Sequence, residues 1–321
     1  MSHPSTTTTP PLPPPSSRVL SIQSHVVHGY VGNKSAVFPL QLLGFEVDVV
    51  NSVQFSNHTG YENGFRGTVL DGDELRALTK GLDDNSLLEE TSHLLTGYIG
   101  SASFLSAIVE VVAKLKSINP SVRYVCDPVL GDNGKLYVPP ELVDLYRTKI
   151  VPLSYMVTPN RFECEQLTGV AVTSMSTATA AADLLHDMGP EIVVITSMSL
   201  GGVSSSTITV LASCKGGEKW AVDCQKLEGT YTGTGDLCAA LLLGWDALTP
   251  SSVSSDVPRL KVILGKVVNT MFEVIGRTHG AAGGYWATAR RKELKIVQSK
   301  REIEQAGASF RRVLFVPYEV K

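Results

Sequence analysis

Tyr155-Met156-Val157-Thr158-Pro159-Asn160-Arg161-Phe162-Glu163 changes character twice along its length. Residues 155–158 are apolar and β-prone and read as a strand. Pro159 and Asn160 stop it, and residues 161–167 read as a helix. The same succession of strand, polar junction and helix recurs on both sides. Upstream, residues 122–126 read as a strand ending at Asp127-Pro128, and residues 140–148 as a helix with proline in its first turn. Earlier come a strand at 18–23, an apolar helix at 35–43 that Pro39 must start or kink, and a strand at 45–51. A surface helix at 71–82, a strand at 93–96 and a helix at 104–118 follow. Downstream lie a helix at 177–188, a strand at 192–196, β segments at 207–212 and 219–223, and helices at 236–248 and 259–279. Strands alternating with helices predict an α/β fold of three layers, a mostly parallel central sheet with helices on both faces. Ligands then bind beyond the carboxyl ends of the strands, so polar residues where strands stop are the candidates.

The bulk properties agree. The 321 residues are 43% hydrophobic and 18% charged, enough apolar material for a large core. A formal net charge of -3 argues against a nucleic-acid-binding surface. No apolar run approaches the roughly 18–20 residues that a bilayer requires, so no membrane partner is expected. Five cysteines, an odd number without a C-x-x-C pair, speak against a disulfide framework and for a reducing, cytoplasmic setting. Residues 1–17 are almost all Pro, Ser and Thr and read as a disordered tail. Their lack of acidic residues also suits an organelle transit peptide, although no arginine precedes Arg18. No internal repeat or linker divides residues 18–321, which read as one domain.

Four junctions carry residues suited to chemistry. Gly233-Thr234-Gly235-Asp236 runs straight into the apolar stretch 237–243. The glycines permit a tight turn that aims successive N–H groups one way, and a helix N-terminus adds free donors and a positive dipole end. Such a hole suits a transferring phosphoryl group, and Asp236 beside it can accept a proton from an attacking hydroxyl. The helix terminus is expected to favour the ionised carboxylate and make it a weak base. Asp236 equally suits a plain N-cap. Asn160 and Glu163 share a helix face and can hold a hydrated Mg²⁺ and a nucleotide phosphate, or simply form a capping box. In Cys126-Asp127-Pro128-Val129-Leu130-Gly131-Asp132, Asp127 suits a metal or its waters and Asp132 a nearby cation. Asp-Pro and Gly-Asp are also ordinary turn pairs. Residues 131–137 can fold over a nucleotide as a flap. Residues 52–61 crowd polar and aromatic groups that can bond and stack on a small aromatic ring, with His58 among them as a structural residue. Gly29-Tyr30-Val31-Gly32-Asn33-Lys34-Ser35 has the wrong spacing for a Walker A loop, and no G-x-G-x-x-G follows the first strand.

Taken together, these segments resemble the pyridoxal kinases, a family of the ribokinase-like superfamily, over residues 18–304. Residues 18–25, 51–61 and 124–132 are especially similar to eukaryotic, plant-like members. The Gly233–Asp236 motif alone indicates the superfamily, and Asn57-His58-Thr59-Gly60-Tyr61 points to vitamin B6. The resemblance implies ATP-dependent phosphorylation of the 5′-hydroxyl of pyridoxal, pyridoxine and pyridoxamine, with Mg²⁺ or another divalent cation, a monovalent cation (K⁺ or Na⁺) and a homodimer. It implies that Ser24 and Thr59 bond the pyridine ring, that Val31, Phe55 and Tyr98 wall it, and that Asp236 is the base beside an anion hole of Gly233, Thr234 and Gly235. Asp127, Asn160 and Glu163 would serve the ATP phosphates and Mg²⁺. Asp132, Thr158 and Thr196 would take the monovalent-cation and phosphate-side positions. Tyr137 would lie on the flap, with Ser197 and Leu227 on the nucleotide side. Arg161 departs from the usual glutamine; it either faces solvent or alters phosphate affinity. The basic stretch 290–301 reads as a solvated face. Two rival readings are a hydroxymethylpyrimidine kinase on the same fold and a non-catalytic pyridoxal-phosphate carrier.

Overall fold

Residues 18–26 form strand β1 (Arg18–Val26), which is largely buried on both faces, as an interior strand of a parallel sheet must be. The structure, a computed structural model, describes residues 17–200, 206–250, 258–283, 287–306 and 315–320. The predicted tail therefore lies outside the described residues, apart from Ser17. After β1 come α1 (Asn33–Leu42), β2 (Glu46–Phe55), β3 (Gly67–Val69), α2 (Gly72–Asp84), β4 (Thr91–Thr96), α3 (Ala102–Ile118) and β5 (Arg123–Cys126). A short hairpin, β6 (Gly131–Asp132) and β7 (Lys135–Leu136), precedes α4 (Glu141–Leu145), which continues through looser helical turns to Leu153. Then follow β8 (Met156–Val157), α5 (Arg161–Thr168), α6 (Met175–Met188), β9 (Ile192–Met198), β10 (Thr207–Cys214) and β11 (Lys219–Gln225). The chain continues with α7 (Thr234–Leu248), α8 (Arg259–Ala282), α9 (Lys300–Glu304) and β12 (Tyr318–Glu319). Pro39 lies inside α1 rather than at its start. Among the described residues no helix is long and apolar enough to cross a membrane.

The strands form one ten-stranded sheet in the order β12-β11-β10-β9-β8-β5-β4-β1-β2-β3. The six strands from β9 to β2 pair in parallel, and the pairs at both edges are antiparallel. Side chains alternate between the faces, as the two-residue strand period demands. Val19, Leu95, Val125, Ile192 and Val194 pack against α1, α7, α8 and α9. Leu20, Ile22, Leu94, Tyr124, Val193 and Ile195 pack against the layer of α2 to α6. Helix α7 is buried almost all round, which explains why the stretch after Asp236 is uniformly apolar rather than periodic.

This topology fixes where a ligand can sit. Helix α1 follows β1 on one face, and α2 carries the chain back over the other face to β4 on β1's opposite side. The two connections diverge at the carboxyl end of β1 and open a crevice there, the usual ligand site of such sheets. Truncating the core beneath it should cost stability. Leu241→Ala, at a fully buried position of α7, is expected to lower unfolding free energy by about 2–5 kcal/mol in urea titrations.

Candidate active site

At the crevice, β1 and β2 slip out of register. Gln23 pairs with Asn51, but Ser24 pairs with Val53. The skipped Ser52 donates its hydroxyl hydrogen to the Tyr98 carbonyl at 2.8 Å, tying the segment after β4 to the end of β2. Phe55 lies opposite Val26 at the ends of the same strands. A buried polar network underlies this corner. Gln23 Nε2 donates to Ser21 Oγ (2.9 Å), whose hydroxyl donates to Asn33 Oδ1 (2.8 Å). Asn33 Nδ2 donates to the Val50 carbonyl (3.0 Å) and Asn51 Oδ1 (2.9 Å), locking the start of α1 onto both strands. Ser24 lies near the end of β1, Phe55 at the end of β2, Val31 in the loop between β1 and α1, and Tyr98 just beyond β4, while Thr59 stands exposed on the loop after β2.

The Gly233–Asp236 turn closes the crevice from α7. Gly233 has φ +86°, and a Cβ there would lie 2.0 Å from the Tyr30 carbonyl oxygen, so only glycine fits. It occupies the N-cap position without any side-chain capping bond. Asp236 is the third helical residue and does not cap; its carboxylate instead receives the Gly32 N–H and its own N–H. Gly32 is equally constrained, because a Cβ at its φ of +51° would meet the Ser24 carbonyl oxygen at 2.0 Å. The expectation from the helix terminus alone does not hold. Burial raises the Asp236 pKa, and the two N–H bonds only partly offset it, so this carboxylate is a better base than the dipole argument predicts.

Asp127, just beyond β5, faces this turn. A Cβ on Gly235 would lie 3.4 Å from Asp127 Oδ2. Thr158 donates its hydroxyl hydrogen to Asp127 Oδ1 at 3.0 Å, and among the described residues nothing donates to Oδ2. Burial and then the Asp236 carboxylate push the Asp127 pKa up to about 8, against the pull of the Thr158 hydroxyl. The Val129 N–H also bonds the Asp127 carbonyl at 2.9 Å, so the turn chemistry of Asp-Pro is present as well. Asn160 and Glu163 do form a capping box. Asn160 Oδ1 accepts the Glu163 N–H (2.9 Å), and Glu163 Oε2 accepts the Asn160 N–H (2.8 Å). Glu163 Oε1 accepts the Leu130 N–H at 3.0 Å, and Asn160 Nδ2 donates to the Gly131 carbonyl at 2.8 Å, so the box grips the base of the β6–β7 hairpin. Burial and Asp127 raise the Glu163 pKa well above the ordinary carboxylate value.

Three carboxyl groups therefore share one region, and among the described residues no lysine or arginine pairs with them. No cluster of three or more His, Cys, Asp or Glu among those residues could hold a metal by itself. The arrangement fits a hard divalent cation held by one open carboxylate oxygen, waters and substrate phosphates.

The other predicted positions spread outward. Thr196 lies near the end of β9, its N–H bonded to the Pro159 carbonyl at 3.0 Å, and Ser197 is exposed beside it. Asp132 and Tyr137 are exposed on the hairpin, whose Asn133-Gly134 turn has positive φ at both residues. The Asp132 carboxylate accepts the Asn133 N–H at 2.7 Å, and among the described residues no hydrogen bond joins it to Asp127. Leu227 is half-buried in the loop before Gly233. Arg161 faces solvent and pairs with Glu165 at 3.7 Å, away from the carboxyl cluster. Sequence reasoning missed Gly32 and Glu293. The Gly29-x-x-Gly32 spacing after a strand was the available sign of the first. Nothing local marks the second.

A parallel sheet wrapped by helices, with a Gly-x-Gly-Asp turn opening a buried helix at its switch point, defines the ribokinase-like class. A family model described as phosphomethylpyrimidine kinase matches residues 89–247. A pyridoxal kinase of Arabidopsis thaliana is 49% identical over 308 residues, covering 92% of this chain and 96% of the relative. A Homo sapiens pyridoxal kinase is 45% identical, covering 89% and 95%. The Leishmania donovani pyridoxal kinase, solved in complex with ADP and pyridoxamine, superposes with a TM-score of 0.84 at 32% identity, covering 95% of this chain and all of that one. The chain belongs to the pyridoxal kinase family.

The high Asp127 pKa has a thermodynamic consequence. The folded, ligand-free protein keeps that proton to about pH 8, whereas an unfolded aspartate releases it near ~3.9. Stability therefore falls as pH rises between these values. Asp127→Asn should raise the thermal midpoint of the ligand-free protein at alkaline pH by several degrees, an advantage that fades toward about pH 4. Scanning calorimetry across that range checks it.

Proposed function

We propose that this chain transfers the γ-phosphoryl group of ATP to the 5′-hydroxyl of pyridoxal, pyridoxine and pyridoxamine, yielding pyridoxal 5′-phosphate and its relatives. The observation that carries this is Asp236 held at the first turn of α7 by the Gly32 N–H, beside left-handed Gly233 and facing Asp127. The names of the relatives, and the ADP and pyridoxamine bound to the Leishmania enzyme, support it.

The acceptor ring would lie at the corner of β1 and β2. Ser24 and Thr59 bond its polar atoms, and Val31, Phe55 and Tyr98 enclose it. The 5′-hydroxyl points at Asp236, which accepts its proton as the new P–O bond forms. Burial suits that carboxylate to the task, since a raised pKa gives the departing proton a better resting place. The free N–H groups of Gly233, Thr234 and Gly235 receive charge that develops on the transferring oxygens. Asp127 would hold a divalent cation through Oδ2 or a water, and that cation supplies charge neutralisation on the β- and γ-phosphates when bound. Asn160 and Glu163 act on the phosphate side chiefly by fixing the Leu130 and Gly131 backbone. Thr158, Thr196 and Asp132 mark the monovalent-cation side, for K⁺ or Na⁺. Tyr137 on the hairpin, Ser197 and Leu227 line the nucleotide.

Residues 18–321 would act as one ribokinase-like domain within a cytoplasmic homodimer; exposed Val49, Phe65 and Val69 along the β2–β3 edge offer apolar surface for pairing. The match to a phosphomethylpyrimidine kinase family model keeps hydroxymethylpyrimidine as a second acceptor to test. Purified protein with Mg²⁺, K⁺ and ATP should form pyridoxal 5′-phosphate, followed at its absorbance band, and prefer all three B6 vitamers over hydroxymethylpyrimidine. Asp236→Ala should lower kcat by roughly 10²–10⁴-fold and leave ATP binding nearly unchanged. A fully active variant, or a preference for the pyrimidine, would overturn this assignment.

A further inference from the structure

Glu293 lies in the basic stretch 290–301, which is not the plain solvated face expected: Arg290, Arg291, Lys300 and Arg301 are exposed, but Glu293, Leu294, Ile296 and Ser299 are buried. The Glu293 side chain turns inward and is only 7% exposed. It meets two loops at once. Oε2 accepts the Tyr30 N–H at 2.8 Å, from the loop between β1 and α1. Oε1 accepts the Tyr61 hydroxyl hydrogen at 2.9 Å and lies 3.4 Å from His58 Nε2, both from the loop after β2. His58 Nδ1 accepts the Gly60 N–H at 3.1 Å, so its ring proton sits on Nε2 and points at Glu293. Gly29 leaves room for this contact, since a Cβ there would lie 2.2 Å from Glu293 Oε1.

These two loops carry Val31 and Thr59, on the two sides of the acceptor corner. The second also approaches the phosphoryl turn: a Cβ on Gly60 would be 3.8 Å from Thr232 Oγ1. The C-terminal segment does not need Glu293 to stay in place. Leu294 and Ile296 are fully buried, and the Lys295 N–H bonds Thr278 Oγ1 at 3.0 Å. Burying a carboxylate is costly unless several donors meet it, and here the donors come from the pocket loops rather than from the segment's own anchor.

We propose that Glu293 is a positioning residue that sets the spacing of the Val31 and Thr59 loops, and so the affinity for the B6 ring, without touching the substrate. This rests on the acceptor placement given above, and the test separates the two. In steady-state kinetics of the full-length protein, Glu293→Ala should raise KM for pyridoxal roughly tenfold, with KM for ATP within about twofold. Glu293→Gln, which keeps one acceptor oxygen, should recover part of that loss. Tyr61→Phe, which removes one donor and little packing, should give a smaller rise in the same direction and covers the case in which Glu293→Ala does not fold. Thr59→Ala serves as the control for the pocket. If it raises KM for pyridoxal while the Glu293 and Tyr61 variants do not, the proposal fails and the pocket stands. If Thr59→Ala has no effect either, the pocket assignment itself fails and takes the proposal with it. An equal rise in both KM values in the Glu293 variants, unrelieved by glutamine, would make the residue merely structural and overturn the proposal.

Discussion

Asp127 and Asp236 face each other across the mouth of the sheet, and among the described residues no lysine or arginine pairs with either. Two ionised carboxylates in a poorly solvated site repel each other and are each penalised by burial, so both groups keep their protons to higher pH than a free aspartate does. Under the proposed function, a divalent cation entering with the phosphates would relieve this repulsion. The rest of the site is arranged around this unfinished electrostatic balance. Thr158 steadies one carboxylate from the end of β8, and the Gly32 N–H steadies the other from the loop after β1.

That arrangement depends on close backbone approach at two glycines. Gly233 and Gly32 each hold left-handed φ, and each would clash with a carbonyl oxygen if it carried a Cβ. They let the start of α7 and the start of α1 meet over the end of β1, where the crossover connections diverge. The buried Asn33 network then fixes α1 to β1 and β2 with hydrogen bonds rather than apolar contact alone. A polar network of this kind specifies one register, because a shift by one residue would leave several buried donors unpaired. The Asn160–Glu163 box does similar work beyond β8, tying α5 to the base of the hairpin.

Much of this was legible from the chain alone. The long helices and parallel strands announce themselves through period and length, and the Gly233–Asp236 turn stands out because glycines and an aspartate precede an unbroken apolar run. The short strands β3 and β12 were not readable, since two or three residues carry no period. Asn160 and Glu163 could not be resolved by spacing, because a capping box and a pair of phosphate-side ligands require the same separation. The acidity of Asp236 was misjudged for a physical reason: helix position can be read locally, whereas burial depends on segments more than a hundred residues away. Glu293 is the extreme case. Its partner Tyr30 is 263 residues distant, and nothing in the basic stretch around it signals a buried carboxylate.

The central claim is that Asp127, whose pKa burial and the Asp236 carboxylate push up to about 8, gives up its proton when nucleotide and a divalent cation bind. Calorimetric titration of the protein with Mg²⁺ and a non-hydrolysable ATP analogue, at neutral pH in buffers of differing ionisation enthalpy, counts the protons exchanged. The account predicts net proton release on binding, diminished in Asp127→Asn. Heats that do not vary with the buffer, or a release unchanged in that variant, would contradict it.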